Sequence, residues 1–90
     1  MNPKDIERIS KALSDPNRLK ILEQVKEQGN MACACIINFL NLAQPSVSHH
    51  IKQLTDSGLL IPHKEGRNIS YTIDNTILNE YITYLQSLGK

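Results

Sequence analysis

The sequence lacks several features that would assign a chain to a class directly. None of its apolar runs approaches the roughly 18 to 20 residues that a membrane span needs, and residues 1–5 lack the apolar stretch of a secretory signal. The net charge is only +1, so any nucleic-acid binding has to come from a local patch of Lys and Arg. We therefore expect a cytoplasmic protein with no membrane partner.

Cysteine is scarce as well, since the chain has only Cys33 and Cys35. In a reducing cytosol both are expected to be thiols, and a structural disulfide is not expected. The hydrophobic fraction of 40% and the charged fraction of 21% are typical of a soluble globular chain. A length of 90 residues predicts a single domain, 1–90, whose small core would gain from a partner subunit.

Apolar residues at helical spacing predict four successive helices. These helices run from Asn2-Pro3 to about Leu13, from Ser14-Asp15-Pro16 to Gly29, from Cys33 to Leu40 and from Pro45 to Gly58. The prolines and glycines agree with these limits, because Pro fits the first helical turn and Gly the position after the last. In the second helix the expected apolar positions are Leu19, Leu22 and Val25, with Ile21 beside them.

The rest of the chain predicts a β-hairpin and a last helix. Residues 59–62 are short and apolar, as in a strand, and residues 64–67 form a turn with Gly66 at its tip. Ile69, Tyr71 and Ile73 alternate with polar residues, as in a half-buried strand, and a final helix begins at about Thr76. Four helices, a hairpin and a fifth helix are the order of a winged helix-turn-helix, a mostly α fold with a small β-hairpin.

The fourth helix carries the candidate function. Val47, Ile51 and Leu54 define its buried side, and the other positions are rich in short donors and acceptors. Such a face suits the major groove of DNA, where each base pair shows a distinct donor and acceptor pattern. Taken alone, it is more often the solvated side of a surface helix. Lys64 and Arg67 favour the DNA interpretation, because a wing at this distance would reach a phosphate or a minor groove.

Three separated motifs resemble those of the ArsR/SmtB family of bacterial repressors. Residues 12–22, Ala-Leu-Ser-Asp-Pro-Asn-Arg-Leu-Lys-Ile-Leu, are similar to the family's opening motif. Residues 44–54, Gln-Pro-Ser-Val-Ser-His-His-Ile-Lys-Gln-Leu, are similar to its recognition-helix signature. Residues 58–60, Gly-Leu-Leu, and 65–71, Glu-Gly-Arg-Asn-Ile-Ser-Tyr, are similar to the end of that helix and to the wing. The resemblance covers nearly the whole chain.

The resemblance implies a dimeric winged-helix repressor that leaves DNA when a metal, a metalloid or a thiol-reactive inducer binds. Together with the exposed face of the fourth helix, it implies a set of DNA-binding residues. They are Gln44, Ser46, Ser48, His49, His50, Lys52 and Gln53, with Lys64 and Arg67 in the wing. For His50, which flanks the buried stripe, a packing role is an equal alternative.

The resemblance also places the first and last helices in the subunit interface of a homodimer. The partner would be double-stranded DNA with an inverted repeat, whose half-sites lie roughly 34 Å apart. The last helix supports a dimer by itself, because its apolar stripe is wider than so small a core can cover. This stripe consists of Ile77, Leu78, Tyr81, Ile82, Leu85 and Leu88. The alternative is that the helix only closes the core of one subunit.

The cysteine pair resembles the Cys-x-Cys of arsenic- and cadmium-responsive family members. Thiolates are soft ligands that suit a thiophilic metal or metalloid ion. Counted without gaps, however, the family pattern has its cysteines at the positions of Ala32 and Ala34, and Asn38 stands where some arsenic sensors have a third cysteine. On a helix, Cys33 and Cys35 point about 200° apart. A packing role is therefore at least as good an interpretation as a sensor.

The family's other metal site, on the last helix, is not expected here because no histidine follows His63. The adjacent His49 and His50 do not face one ligand together, so they do not predict a zinc site either. The effector stays open: a soft ion held by the thiols, oxidation or persulfidation of the pair, or no inducer at all. No cofactor is certain.

We expect a DNA-binding regulator and not an enzyme. Two alternative functions remain. A thiol redox protein would use Cys33 and Cys35, but no acid, base or substrate pocket accompanies them in so short a chain. A winged helix that serves as a protein-interaction module without an inducer is the other alternative, and only the weak overall charge favours it.

Overall fold

In the computed structural model, which describes residues 1–89, five helices and three strands follow one another along the chain. They are α1 (Pro3–Ala12), α2 (Pro16–Gln28), β1 (Met31–Ala32), α3 (Cys33–Leu40), α4 (Gln44–Asp56), β2 (Leu60–Glu65), β3 (Asn68–Ile73) and α5 (Asn75–Leu88). The predicted fold class, a mostly helical winged helix-turn-helix, is confirmed. Within the described residues, no helix has both the length and the apolar character that crossing a bilayer requires.

Side-chain caps explain where three of the helices begin. The side-chain oxygen of Asn2 accepts the backbone N–H of Asp5 at 2.9 Å, and α1 follows. Asp15 precedes α2 and Asp74 precedes α5, and each carboxylate accepts two backbone N–H groups of the first turn. These bonds satisfy donors that a helix N-terminus otherwise leaves without partners.

The turn between α3 and α4 sets the angle of the helix-turn-helix. Asn41 follows α3 with a φ of 54°, in the left-handed region. Asn tolerates this region better than most residues, because its short polar side chain can hydrogen-bond locally. The chain therefore turns within a few residues, and α4 begins after Ala43.

The sheet is larger than the sequence predicted. Its strand order is β1-β3-β2, all antiparallel, and Met31 in β1 lies opposite Tyr71 in β3. The sequence predicted only a hairpin, because a strand of two residues is too short to show alternation. The hairpin itself is also longer than predicted: Glu65 pairs with Asn68, so residues 64 and 65 belong to β2 and not to the turn. The loop consists of residues 66 and 67.

The core lies where the helices meet the sheet. Its fully buried side chains include Ile9, Ile21, Ile36, Leu54 and Leu59, which come from α1 to α4 and from the residue before β2. One prediction was wrong. Leu19 was placed on the apolar side of α2, but it is 41% exposed, whereas Ile21 is 0% exposed. The inner side of α2 runs through Ile21 and Val25, one helical turn apart.

Helix α5 is covered by the rest of the fold on one side only. Tyr81 is its only buried residue, and the hydroxyl of Tyr81 lies 2.8 Å from that of Ser10 on α1. Ile82, Leu85 and Leu88 remain 41%, 47% and 66% exposed. Half of the apolar stripe of α5 is thus exposed, which favours a subunit interface over the alternative in which α5 only closes the core of one subunit.

Candidate nucleic-acid interface

Helix α4 turns its apolar side inward and presents polar side chains to solvent. Val47 and Leu54 are 0% exposed and Ile51 is 5% exposed, so the inner side is the predicted one. The polar side chains form what we call the polar ridge. Its members are Gln44, Ser46, Ser48, His49 and Lys52, all exposed, and Gln53, which is half-buried.

The wing lies beside the polar ridge. A cleft of about 420 Å³ separates α4 from the hairpin, and Ser48 and Lys52 line one wall while Lys64 lines the other. Lys64 is exposed on β2. Two lysines therefore face one groove, so a polyanion that lies against the ridge meets positive charge from both walls.

One of these lysines already has an ionic partner. The Nζ atom of Lys52 lies 3.3 Å from a carboxylate oxygen of Asp56, one turn further along α4. Both side chains are more than half exposed, and an exposed pair of this kind contributes little to stability. Lys52 can therefore exchange Asp56 for a phosphate at little energetic cost.

Arg67 does not line the cleft that Lys64 shares with the polar ridge. Gly66 and Arg67 form the hairpin loop, with Gly66 at a φ of +61° that L side chains rarely adopt. Arg67 is exposed and lines a second cleft, of about 310 Å³, whose other wall includes Cys33 and Ile37 of α3. The wing thus places one cation beside α4 and the other near α3.

His50 differs from its neighbours on α4. Its side chain is only 12% exposed, and its Nδ1 atom lies 3.2 Å from Nη1 of Arg18 and 4.0 Å from Oδ1 of Asp15. The structure therefore places the His50 ring between α4 and the start of α2, whereas the neighbouring His49 is exposed. Of the two interpretations that the sequence left open for His50, these contacts favour packing.

Asp15 is held in its charged form by this arrangement. Burial by itself raises the pKa of Asp15, but the backbone N–H groups of Asn17 and Arg18 and the charges of His50 and Arg18 more than offset it. The pKa of Asp15 is therefore lowered from its ordinary value of 3.8. A carboxylate that accepts backbone N–H bonds beside cations is expected to behave in this way.

The two cysteines occupy different environments. Cys33 is the first residue of α3, is half-buried and lines both clefts beside the wing, whereas Cys35 is exposed. The Cys33 thiol lies against the Tyr71 hydroxyl on β3. Burial raises the pKa of Tyr71 above its ordinary value of 10.0, and the neighbouring Cys33 thiol raises it further. A packing role therefore fits Cys33 and does not fit Cys35.

The donor set for a metal ion is small. Among residues 1–89, no group of three or more His, Cys, Asp or Glu side chains is placed to hold one ion. A soft ion at Cys33 and Cys35 would thus have two protein ligands, on side chains that leave α3 in different directions.

Sequence reasoning missed Arg18 and the position of Asp15 beside His50. Both residues lie in the opening motif that carried the family resemblance, but no role was assigned to them. The local signal was the Asp-Pro pair, which predicts a helix start. Nothing local shows that the arginine three residues later reaches a helix more than thirty positions away.

Comparison with known proteins agrees with this geometry. Residues 13–63 match a family described as a helix-turn-helix domain. The transcriptional repressor SdpR of Bacillus subtilis is 35% identical over 77 residues, which cover 86% of this chain and 84% of that protein. An arsenical resistance operon repressor of Staphylococcus aureus is 36% identical over 90 residues, which cover 99% of this chain and 85% of the relative.

A solved structure shares the whole arrangement of elements. The crystal structure of an ArsR family transcriptional regulator superposes with a TM-score of 0.79 at 28% sequence identity. The superposition covers 98% of this chain and 93% of the other. The likeness thus extends from α1 to α5 and includes the wing.

Proposed function

Since the chain belongs to the ArsR family of winged helix-turn-helix transcriptional regulators and is not an enzyme, we propose that it represses transcription as a homodimer bound to an inverted repeat. The observation that carries the proposal is the exposed polar ridge of α4 with Lys64 across a shared groove. A recognition helix needs short donors and acceptors for base edges, and it needs cations beside it for the phosphates.

We assign the DNA contacts within this surface by chemistry. Gln44, Ser46, Ser48, His49 and Gln53 would contact base edges or the adjacent backbone, since they carry hydrogen-bonding groups and lie on the side of α4 away from its buried stripe. Lys52, Lys64 and Arg67 would contact phosphates. His50 is left out of the contact surface, because its ring lies against α2.

A dimer would bring two polar ridges to one duplex. The exposed Ile82, Leu85 and Leu88 of α5 offer an apolar surface that a second copy of the chain would cover. A twofold axis at that surface would relate the two α4 helices, and a duplex with matching half-sites would then be an inverted repeat.

The function is tested by selection from a random-sequence DNA library with the purified protein. Enrichment of an inverted repeat, bound much more tightly than random duplex at the same salt concentration, is the expected result. Equal affinity for the enriched and the random duplex would overturn the proposal.

The wing is tested through the salt dependence of that affinity. Arg67→Ala is expected to lower the slope of log affinity against log salt by about one phosphate contact, or roughly 0.9. Lys26→Ala is the matched control, because Lys26 lines a cleft with Asn75 on another part of the surface. An unchanged slope for Arg67→Ala would remove Arg67 from the interface.

We also propose that a thiol-reactive inducer acts at the cysteine pair, with Cys33 as the residue that transmits the effect. Cys33 lies where α3, α4 and the wing meet, so an added group there would push the wing from α4. A polysulfide would serve: the Cys33 thiolate attacks one of its sulfur atoms, a new S–S bond forms, the old S–S bond breaks, and the shorter sulfide leaves.

Titration of the protein–DNA complex with polysulfide, arsenite and cadmium separates the possible inducers. Polysulfide should release DNA from wild type and from Cys35→Ser, but not from Cys33→Ser. Release by arsenite or cadmium that needs both cysteines would instead indicate a chelated soft ion. If the double variant responds as wild type does, the thiols are not the inducer site.

A further inference from the structure

The guanidinium of Arg18 joins three helices. Its Nε atom donates to the carbonyl of Ala12 at 2.8 Å, and its Nη2 atom donates to the carbonyl of Lys11 at 2.9 Å. These carbonyls belong to the last turn of α1, where a helix leaves acceptors without intrahelical partners. The third nitrogen, Nη1, lies 3.2 Å from Nδ1 of His50 on α4.

The chemistry of arginine decides which nitrogen of His50 carries the proton. A guanidinium has only donors, so a hydrogen bond between Nη1 and Nδ1 requires that Nδ1 accepts. A neutral His50 then carries its proton on Nε2. The carboxylate of Asp15 favours the other tautomer, but its Oδ1 lies 4.0 Å from Nδ1, beyond hydrogen-bonding distance.

We propose that Arg18 is a positioning residue for DNA recognition, which acts through Nδ1 of His50 to hold α4 at a set angle to α1. The inference rests on the proposed function, because it concerns how the polar ridge is oriented towards DNA. Arg18 itself contributes no DNA contact. It lies behind α4, with its guanidinium on α1 carbonyls on one side and on His50 on the other.

The hydrogen bonds of Arg18 affect more than local stability because of where they lie in the fold. Helix α1 carries Ser10, whose hydroxyl contacts Tyr81 of α5, and α5 carries the apolar surface assigned to the partner copy. The side chain of Arg18 links the end of α1 directly to the middle of α4. A change in the angle between them would alter the distance between the two polar ridges of a dimer, which has to match the half-site spacing of the duplex.

Two substitutions at His50 separate a positioning role from a DNA contact. In His50→Asn, the amide oxygen takes the place of Nδ1 and still accepts from Arg18, whereas in His50→Gln a polar atom takes the place of Nε2. The positioning role predicts that His50→Asn retains affinity within about threefold for the duplex enriched by wild type. His50→Gln and Arg18→Gln should lose about tenfold, as expected when a charge-assisted hydrogen bond is removed. A DNA contact by His50 predicts the reverse order of the two His50 variants, and that result would overturn the proposal.

The matched controls use neighbouring residues. Lys20→Gln removes the same charge from the exposed side of α2, and it should bind as wild type does if the loss in Arg18→Gln is not a general charge effect. His49→Asn, on the polar ridge, should weaken binding while leaving the melting temperature and the tautomer of His50 unchanged; the His50 ring signals themselves shift, because the two rings lie 6.1 Å apart.

The tautomer is measured on the wild-type protein, so the test does not depend on any variant that folds poorly. Long-range ¹H–¹⁵N spectra at about pH 8.5, some two units above the ordinary histidine pKa, should show His50 with Nε2 protonated and Nδ1 bare. Arg18→Gln should remove this preference. A ring protonated at Nδ1 in wild type would overturn the proposal, even if the protein binds its duplex well. Conversely, failure to enrich any duplex would overturn the proposed function while the spectra still show whether Arg18 sets the tautomer.

Discussion

At the scale of single residues, Asp15 combines a helix cap with an electrostatic contact. It accepts two backbone N–H bonds at the start of α2, and the guanidinium of Arg18 and the imidazole of His50 lie beside it. The lowered pKa of Asp15 means that the folded state favours its charged form. The stabilisation is therefore fully present above the unfolded pKa, and it is lost as the pH falls through the folded value.

We predict that Asp15→Asn separates the cap from the charge. Asn retains a side-chain oxygen that can accept N–H bonds, but it does not titrate and carries no charge for Arg18 and His50. Wild type should be the more stable protein at neutral pH, and the difference should shrink as the pH falls below the ordinary value of 3.8. Urea unfolding at a series of pH values measures it.

Asp74→Asn is the comparison for this experiment, since Asp74 caps α5 through the same two kinds of backbone bond. A larger loss of stability in Asp15→Asn than in Asp74→Asn at neutral pH would measure what Arg18 and His50 add to the cap. A difference between wild type and Asp15→Asn that grew on acidification would contradict a lowered pKa of Asp15.

At the scale of elements, the joint between α4 and β2 aligns the recognition helix with the wing. Ser57, 8% exposed, donates its hydroxyl to the carbonyl of Leu54 at 2.7 Å and accepts the N–H of Leu59 at 3.2 Å. One buried hydroxyl thus satisfies a carbonyl at the end of α4 and the donor of the residue just before β2. Both groups would lose their partner together if the hydroxyl were removed.

Ser57→Ala is therefore expected to destabilise the protein by about 1–3 kcal/mol, because the buried N–H of Leu59 loses its acceptor. Ser87→Ala is the matched control: its hydroxyl also donates to the carbonyl three residues earlier, Tyr84, but the group is exposed and water can replace it. Thermal or urea unfolding measures both. Equal losses at the two positions would contradict the burial argument.

At the scale of the whole molecule, the exposed apolar side of α5 favours association with a second copy of the chain. The described residues extend over 43 × 24 × 23 Å, so the molecule is almost twice as long as it is wide. Helix α5 is fixed to α1 through Tyr81 and Ser10, yet it leaves three large apolar side chains in water. Burying an apolar side chain of this size is favourable by about 1.5–3 kcal/mol, so covering the surface would stabilise an assembly appreciably.

Leu85→Glu is predicted to weaken the dimer by roughly tenfold to hundredfold. Each dimer contains two Leu85 side chains, each 47% exposed before association, so the pair corresponds to about one leucine newly buried. DNA affinity should fall as the dimer weakens, because a single polar ridge reads only one half-site. Analytical ultracentrifugation measures the assembly. Thr83→Glu adds the same charge about 200° around α5 and should leave the dimer intact. Dimers of unchanged stability in Leu85→Glu would exclude this surface as the interface.

The amino-acid sequence by itself determined most of the helix limits and the inward side of α4. Asn2, Asp15 and Asp74 cap helices through bonds to residues two or three positions away, so their effect can be recognised locally. The spacing of Val47, Ile51 and Leu54 likewise needs no knowledge of what covers them. The fold class and the exposed ridge follow from such local rules.

Only the tertiary structure decided which partner each side chain meets across the fold. The sequence did not show that β1 pairs with β3, that Leu19 faces outward, or that the Cys33 thiol lies against Tyr71. It assigned His50 to the DNA surface with packing as an equal alternative, and the contact with Arg18 favours packing. These outcomes depend on the angles at which helices and strands pack, and those angles result from all core contacts together and leave no periodic signal along the chain.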